Sequence, residues 1–95
     1  MLPSLLKTEI AALGQQLGAS RVVLFGSRAR NEERPRSDID LAIFGLSPAQ
    51  EGAFWDGIDE LPTLLRFDVV FVSAHTSPDL LAEIKRDGVI LYESA

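Results

Sequence analysis

Two aspartates two residues apart, Asp38 and Asp40, open an apolar run that continues to Phe44 (Ser37-Asp38-Ile39-Asp40-Leu41-Ala42-Ile43-Phe44). On an extended chain residues i and i+2 share a face, so both carboxylates point the same way, about 6.5 Å apart along the strand. Like charges facing together repel unless a cation or proton intervenes. The pair is therefore a candidate metal site; the plainer alternative is a polar strand start whose aspartates merely end a loop. Upstream, Gly26 and Ser27 interrupt a second apolar run, Arg21–Phe25. Glycine allows a tight turn and a close approach of ligand to backbone, and Ser27 suits the N-cap of a short helix through about Asn31, before Pro35 forces extension. A strand, a Gly-Ser turn and a helix start aim backbone N–H groups and a hydroxyl at one point, an arrangement that suits an anion. By itself Gly-Ser before a helix is equally a simple cap. A third carboxylate, Asp68, stands among apolar neighbours in Arg66–Val72 (RFDVVFV). Burying it unpaired is costly, so it either sits at a frayed strand start or meets a positive partner, and its mid-run position favours the partner.

Charge narrows the ligand. The chain carries −5 overall, which argues against general affinity for a nucleic acid backbone. Yet Arg21 to Arg36 holds five arginines against Glu32 and Glu33, a local +3 that leaves −8 elsewhere. A basic island in an acidic chain suits a compact anion such as a nucleoside triphosphate; alternatively, the arginines solvate an exposed turn. With no cysteine, disulfides and thiolate metal sites are excluded, and the lone His75, in a loop, cannot build a zinc site. At 95 residues and 46% hydrophobic, residues 1–95 read as a single domain with enough apolar content for a core. The start MLPSLLKTEI lacks the pattern of a signal peptide, and no segment approaches the roughly 20 apolar residues of a membrane span. The expectation is a soluble, cytoplasmic protein.

The elements that position these residues alternate. Leu6, Ile10, Leu13 and Leu17 recur at helical spacing through residues of about 4 to 17, with Gly18 as the stop. Arg21–Phe25 and Ser37–Phe44 read as strands, the second ended by Gly45. Ser47-Pro48-Ala49-Gln50 announces a helix with serine as N-cap and glutamine at the capping-box place. Phe54, Ile58 and Leu61 form its apolar face, with Trp55 off that stripe as a semi-buried core residue or a partner contact. Arg66–Val72 is a third strand. Ser77-Pro78 caps a last helix with Leu80, Leu81 and Ile84 inward and Gly88 as its stop, and Val89–Tyr92 is a final strand. The class is α/β (α+β): one small mixed sheet of about four strands flanked by helices.

Gly26-Ser27, nine residues, then Ser37-Asp38-Ile39-Asp40-Leu41 resembles the signature of the nucleotidyltransferase superfamily that includes DNA polymerase β. The likeness is to its minimal members, the MNT domains, and the Ser-Arg-Ala-Arg stretch and the Asp-Gly-Val-Ile-Leu-Tyr-Glu ending extend it over nearly the whole chain. Asn31 departs from the glycine common after the Ala-Arg pair; asparagine tolerates left-handed backbone angles better than most residues, so the turn is expected to survive. The resemblance implies the polymerase β-like fold and Asp38, Asp40 and Asp68 as catalytic ligands of one or two Mg²⁺ ions. It further implies that Gly26 and Ser27 bind the triphosphate of ATP. Such domains often act as antitoxins beside an all-helical HEPN toxin, transferring AMP from ATP to a tyrosine of that partner. The expectation is therefore a protein adenylyltransferase working in a hetero-oligomer. The competing expectation is a non-catalytic antitoxin that neutralises its partner by occlusion; a small-molecule nucleotidyltransferase ranks last, since a short chain has little room for an acceptor pocket.

Overall fold

Residues 2–94 are described by a computed structural model. They form α1 (Ser4–Leu17), β1 (Arg21–Phe25), β2 (Ile39–Phe44), a 3₁₀ turn (Pro48–Gln50), α2 (Glu51–Asp59), β3 (Phe67–Phe71), α3 (Pro78–Asp87) and β4 (Val89–Glu93). The strands make one mixed sheet in the order β3-β2-β1-β4. β1 pairs antiparallel with β2 and β4, whereas β2 and β3 run parallel, joined by the α2 crossover that a parallel pair requires.

The central strands are buried on both faces, and alternation divides their side chains between two cores. Val22, Leu24, Ile39, Leu41 and Ile43 pack against Leu6 and Ile10 of α1 and Phe54 and Ile58 of α2. Phe54 meets Phe71 edge-on, with centroids 5.9 Å apart. Val23, Phe25 and Ala42 face the other way, onto Ile84 and Leu80 of α3. Asp40 shares the Ala42 face by the period of two, so it belongs to the side of the sheet that α3 covers.

The mixed α/β architecture expected from the sequence is the one observed, with local differences. Ser27–Asn31 is not a helix but a run of turns: the N–H groups of Ala29 and Arg30 both bond the Gly26 carbonyl, and that of Glu32 reaches Ser27. Asn31, at φ 58°, adopts the left-handed geometry its side chain tolerates and ends the winding. β2 and β3 each start later than expected, at Ile39 and Phe67, leaving Asp38 and Arg66 as the residues entering their strands. Ser47 makes no side-chain cap; its carbonyl accepts from Gln50 N–H, so the chain turns as 3₁₀ before α2 begins at Glu51. Leu61 lies past the end of α2 yet still packs on the core. Trp55 is exposed on α2. Ser77 does cap α3, its hydroxyl accepting from Leu80 N–H. Gly88 stops α3 with an extended backbone, and the position is tight: a Cβ there would run into the Ile84 carbonyl and the Val23 side chain. Among the described residues no helix is long and apolar enough to cross a membrane.

Candidate active site

The sheet topology brings the expected residues to one end. β1 finishes where β2 starts, with Phe25 opposite Asp40, and the parallel register sets Asp40 beside Asp68 on β3. Gly26 leaves β1 at φ 75° directly against Asp40, and a Cβ on it would collide with the Asp40 Oδ2. This position therefore needs glycine twice, for its backbone angle and for the carboxylate packed over it. Ser27, half-buried, follows in the same turn. Asp38 enters β2 exposed, two residues before Asp40.

Asp40 is the half-buried member of the group. Burial, followed by the charges of Asp68, Asp38 and Glu83, pushes its carboxyl up to about 6, with Arg30 opposing. Asp68 is exposed on an edge strand and has no ion-pair partner among the described residues, so the expected positive partner is replaced by another carboxylate. An open edge lets water carry the solvation that a buried strand would deny. Glu83, on α3, is the acidic residue that sequence reasoning missed. Its signal was its place three residues after Leu80 and one before Ile84, beside the inward stripe.

The basic island disperses in three dimensions. Arg21 lies at the opposite end of β1, paired with Glu93 at 3.1 Å and stacked over Phe44. Arg28 is only 5% exposed and donates through Nε and Nη2 to the Ser37 carbonyl, at 3.2 and 3.0 Å. It ties the turn after β1 to the residue preceding Asp38. Ser37 is held further by its own hydroxyl, which accepts from Arg34 N–H at 2.8 Å. Arg30 reaches Glu32 and, at 3.2 Å, Asp87 at the end of α3. Nothing in the sequence distinguished the structural Arg28 from its exposed neighbours.

Asp38, Asp40 and Asp68 offer carboxylate oxygen alone, the donor type a hard divalent ion prefers. No three His, Cys, Asp or Glu side chains among the described residues are gathered into a ready metal cage. The donor set nonetheless fits a cation, because the ionised form of half-buried Asp40 is opposed by every carboxylate around it.

The family described as "Polymerase beta, Nucleotidyltransferase" matches residues 8–95, and the chain belongs to that nucleotidyltransferase family. Its fold resembles that of a chain solved as a toxin-antitoxin with AMP-PNP, at 20% identity and a TM-score of 0.69, covering 93% of this chain and 73% of that one. It also resembles a chain solved as a candidate minimal nucleotidyltransferase, at 28% identity and a TM-score of 0.63, covering 90% and 88%. These likenesses support the minimal, MNT form of the domain. No match was found among curated proteins.

Proposed function

We propose that this chain is a single minimal domain that transfers AMP from ATP to a protein hydroxyl, a tyrosine of a HEPN-type toxin, and thereby acts as its antitoxin. The observation that carries the reading is the alignment of Gly26, Asp40 and Asp68 across three neighbouring strands at one end of the sheet. Family membership supports nucleotidyl transfer. The fold neighbour solved as a toxin-antitoxin with AMP-PNP, an ATP analogue, motivates both the nucleotide and the partner. A reaction drawing on ATP and a toxin belongs in the cytoplasm, in a hetero-oligomer.

The Gly26–Ser27 turn binds the β- and γ-phosphates through backbone N–H groups and the serine hydroxyl. Asp38, Asp40 and Asp68 would hold one or two Mg²⁺ ions, which supply charge neutralisation at the phosphates and acidify the acceptor hydroxyl. The acceptor oxygen forms a bond to the α-phosphorus as the bond between that phosphorus and the α–β bridging oxygen breaks. Pyrophosphate leaves, and the hydroxyl proton passes to Asp68, whose exposure lets it return the proton to water. Arg28 keeps Asp38 in place through Ser37.

Incubating the purified pair with Mg²⁺ and ATP labelled in the α-phosphate tests the reading: label should appear on the partner and vanish with Asp38→Asn/Asp40→Asn. No label on the partner, with an active control enzyme, sinks the assignment. Neutralisation of the toxin undiminished in that double variant would instead identify occlusion as the mechanism.

A further inference from the structure

Beside the carboxylates, on the side away from the Gly26–Ser27 turn, lies a cleft of about 390 Å³ lined by Arg36, Asp38, Leu64, Leu65 and Arg66. It is built where the chain enters β2 and β3, and the two lead-in segments are joined by a bond from Ile39 N–H to the Arg66 carbonyl at 2.9 Å. We propose that this cleft receives the acceptor segment of the partner protein, and that this segment carries acidic residues flanking its hydroxyl side chain and an apolar residue that covers Leu64. The inference rests on the nucleotidyl-transfer reading above and adds the chemistry of the acceptor.

Position argues first. Phosphates bound at the turn lie on the β1 side of Asp40, while the cleft opens on the β3 side and includes Asp38 itself. In-line displacement requires the acceptor hydroxyl to approach opposite the leaving pyrophosphate, and the cleft lies on the side of the carboxylates away from the turn.

Charge argues next. Arg36 and Arg66 are exposed, and neither guanidinium has a hydrogen-bond or ion-pair partner among the described residues. Arg21, Arg30 and Arg86, by contrast, are engaged with carboxylates and Arg28 with the Ser37 carbonyl, so among the described arginines only exposed Arg34, which does not line the cleft, is in the same position. In a chain of net charge −5, two unpaired arginines astride a cleft form a local exception that selects an acidic segment and orients it. Leu64 stands fully in water at 103% relative exposure, although neighbouring Leu65 packs on the core and has its N–H held by Thr63 Oγ1. An apolar side chain so placed supplies contact area to a partner surface.

Two fluorescein-labelled twelve-residue peptides test this, each with a central Leu-Tyr pair, one flanked by glutamates and the other by lysines. Binding to the full chain is followed by anisotropy with Mg²⁺ and AMP-PNP present. The glutamate peptide should bind about tenfold more tightly than the lysine peptide, a preference that fades with salt. Arg36→Glu/Arg66→Glu should reverse that order while leaving AMP-PNP affinity within about twofold. Leu64→Ser should weaken both peptides equally. Equal binding of the two peptides overturns the proposal, as does a double variant that loses AMP-PNP instead of the peptide preference, since the arginines would then serve the nucleotide. Failure of the labelling experiment with an intact peptide preference would count against the catalytic reading alone.

Discussion

Gly26 and Asp40 are coupled through one contact, and each should respond to substitution in a characteristic way. Gly26→Ala meets a left-handed backbone angle and the Asp40 carboxylate together. Its cost should be about 1–3 kcal/mol in urea unfolding, and nucleotidyl transfer should fall about 100-fold because the carboxylate is displaced. For Asp40 the sign of the pH effect follows from a folded-state carboxyl raised to about 6, above its unfolded value. Folding then favours the protonated form, so this group's stabilisation is full below about pH 4 and is lost as pH rises through 6. The metal-free Asp40→Asn variant should therefore melt above the wild type at pH 7.5, with the gain disappearing near pH 4; an Asn variant that melts lower at pH 7.5 would contradict the electrostatic account. The carboxylate's place in the motif was legible from its spacing to Asp38. Its burial and the approach of Glu83 were not, because both depend on which helix covers that face of the sheet.

At the level of elements, the segment between β1 and β2 behaves as a tethered turn. Arg28 is buried and bonds the Ser37 carbonyl twice, so its removal strips a charged donor from a site closed to water. Arg28→Ala should lower unfolding stability by about 1.5–3 kcal/mol, whereas Arg34→Ala, at an exposed position, should change it by less than about 0.5 kcal/mol. Transfer activity should fall with the first and persist with the second. Gly88→Ala tests the docking of α3 in the same way: its methyl would meet the Ile84 carbonyl and the Val23 side chain, at a cost of about 1–3 kcal/mol by urea titration. Helix α1, read as about residues 4 to 17, and strand β1, read as Arg21–Phe25, were legible from periodicity and flanking signals. The turn at Ser27 was misread as a helix start, whereas the helical path does begin at Pro48 after Ser47 but as 3₁₀ and without a side-chain cap, because local capping chemistry competes with other bonds. Gly26 accepts from two N–H groups, and the Ser47 carbonyl is drawn into a 3₁₀ bond.

On the scale of the whole molecule, the four strands and three helices of the described residues deliver carboxylates from two neighbouring strands to one end of the sheet. Ligand binding to the folded state alone should stabilise it by mass action. Mg²⁺ with AMP-PNP at about 100 times the dissociation constant should add about 2.7 kcal/mol, or roughly 11–22 °C in Tm for a chain of this size. Differential scanning fluorimetry should show that shift in the wild type and its loss in Asp38→Asn/Asp40→Asn or on chelation with EDTA.

The sequence by itself determined the alternation of elements, the Gly-Ser turn after one strand and the two aspartates beginning the next. These are short-range properties, set by periodicity and by spacings of a few residues. Only the tertiary structure decided that Asp68 stands beside Asp40, since a parallel register 28 residues apart is chosen by the α2 crossover and the packing of two cores. It also decided that the arginines of residues 21–36 separate into a strand-end ion pair at Arg21, a buried tether at Arg28, an ion pair to Asp87 at Arg30 and exposed cations at Arg34 and Arg36, the last beside Asp38. Their proximity in sequence carried no information about that division, because β1 runs the length of the sheet between the first two.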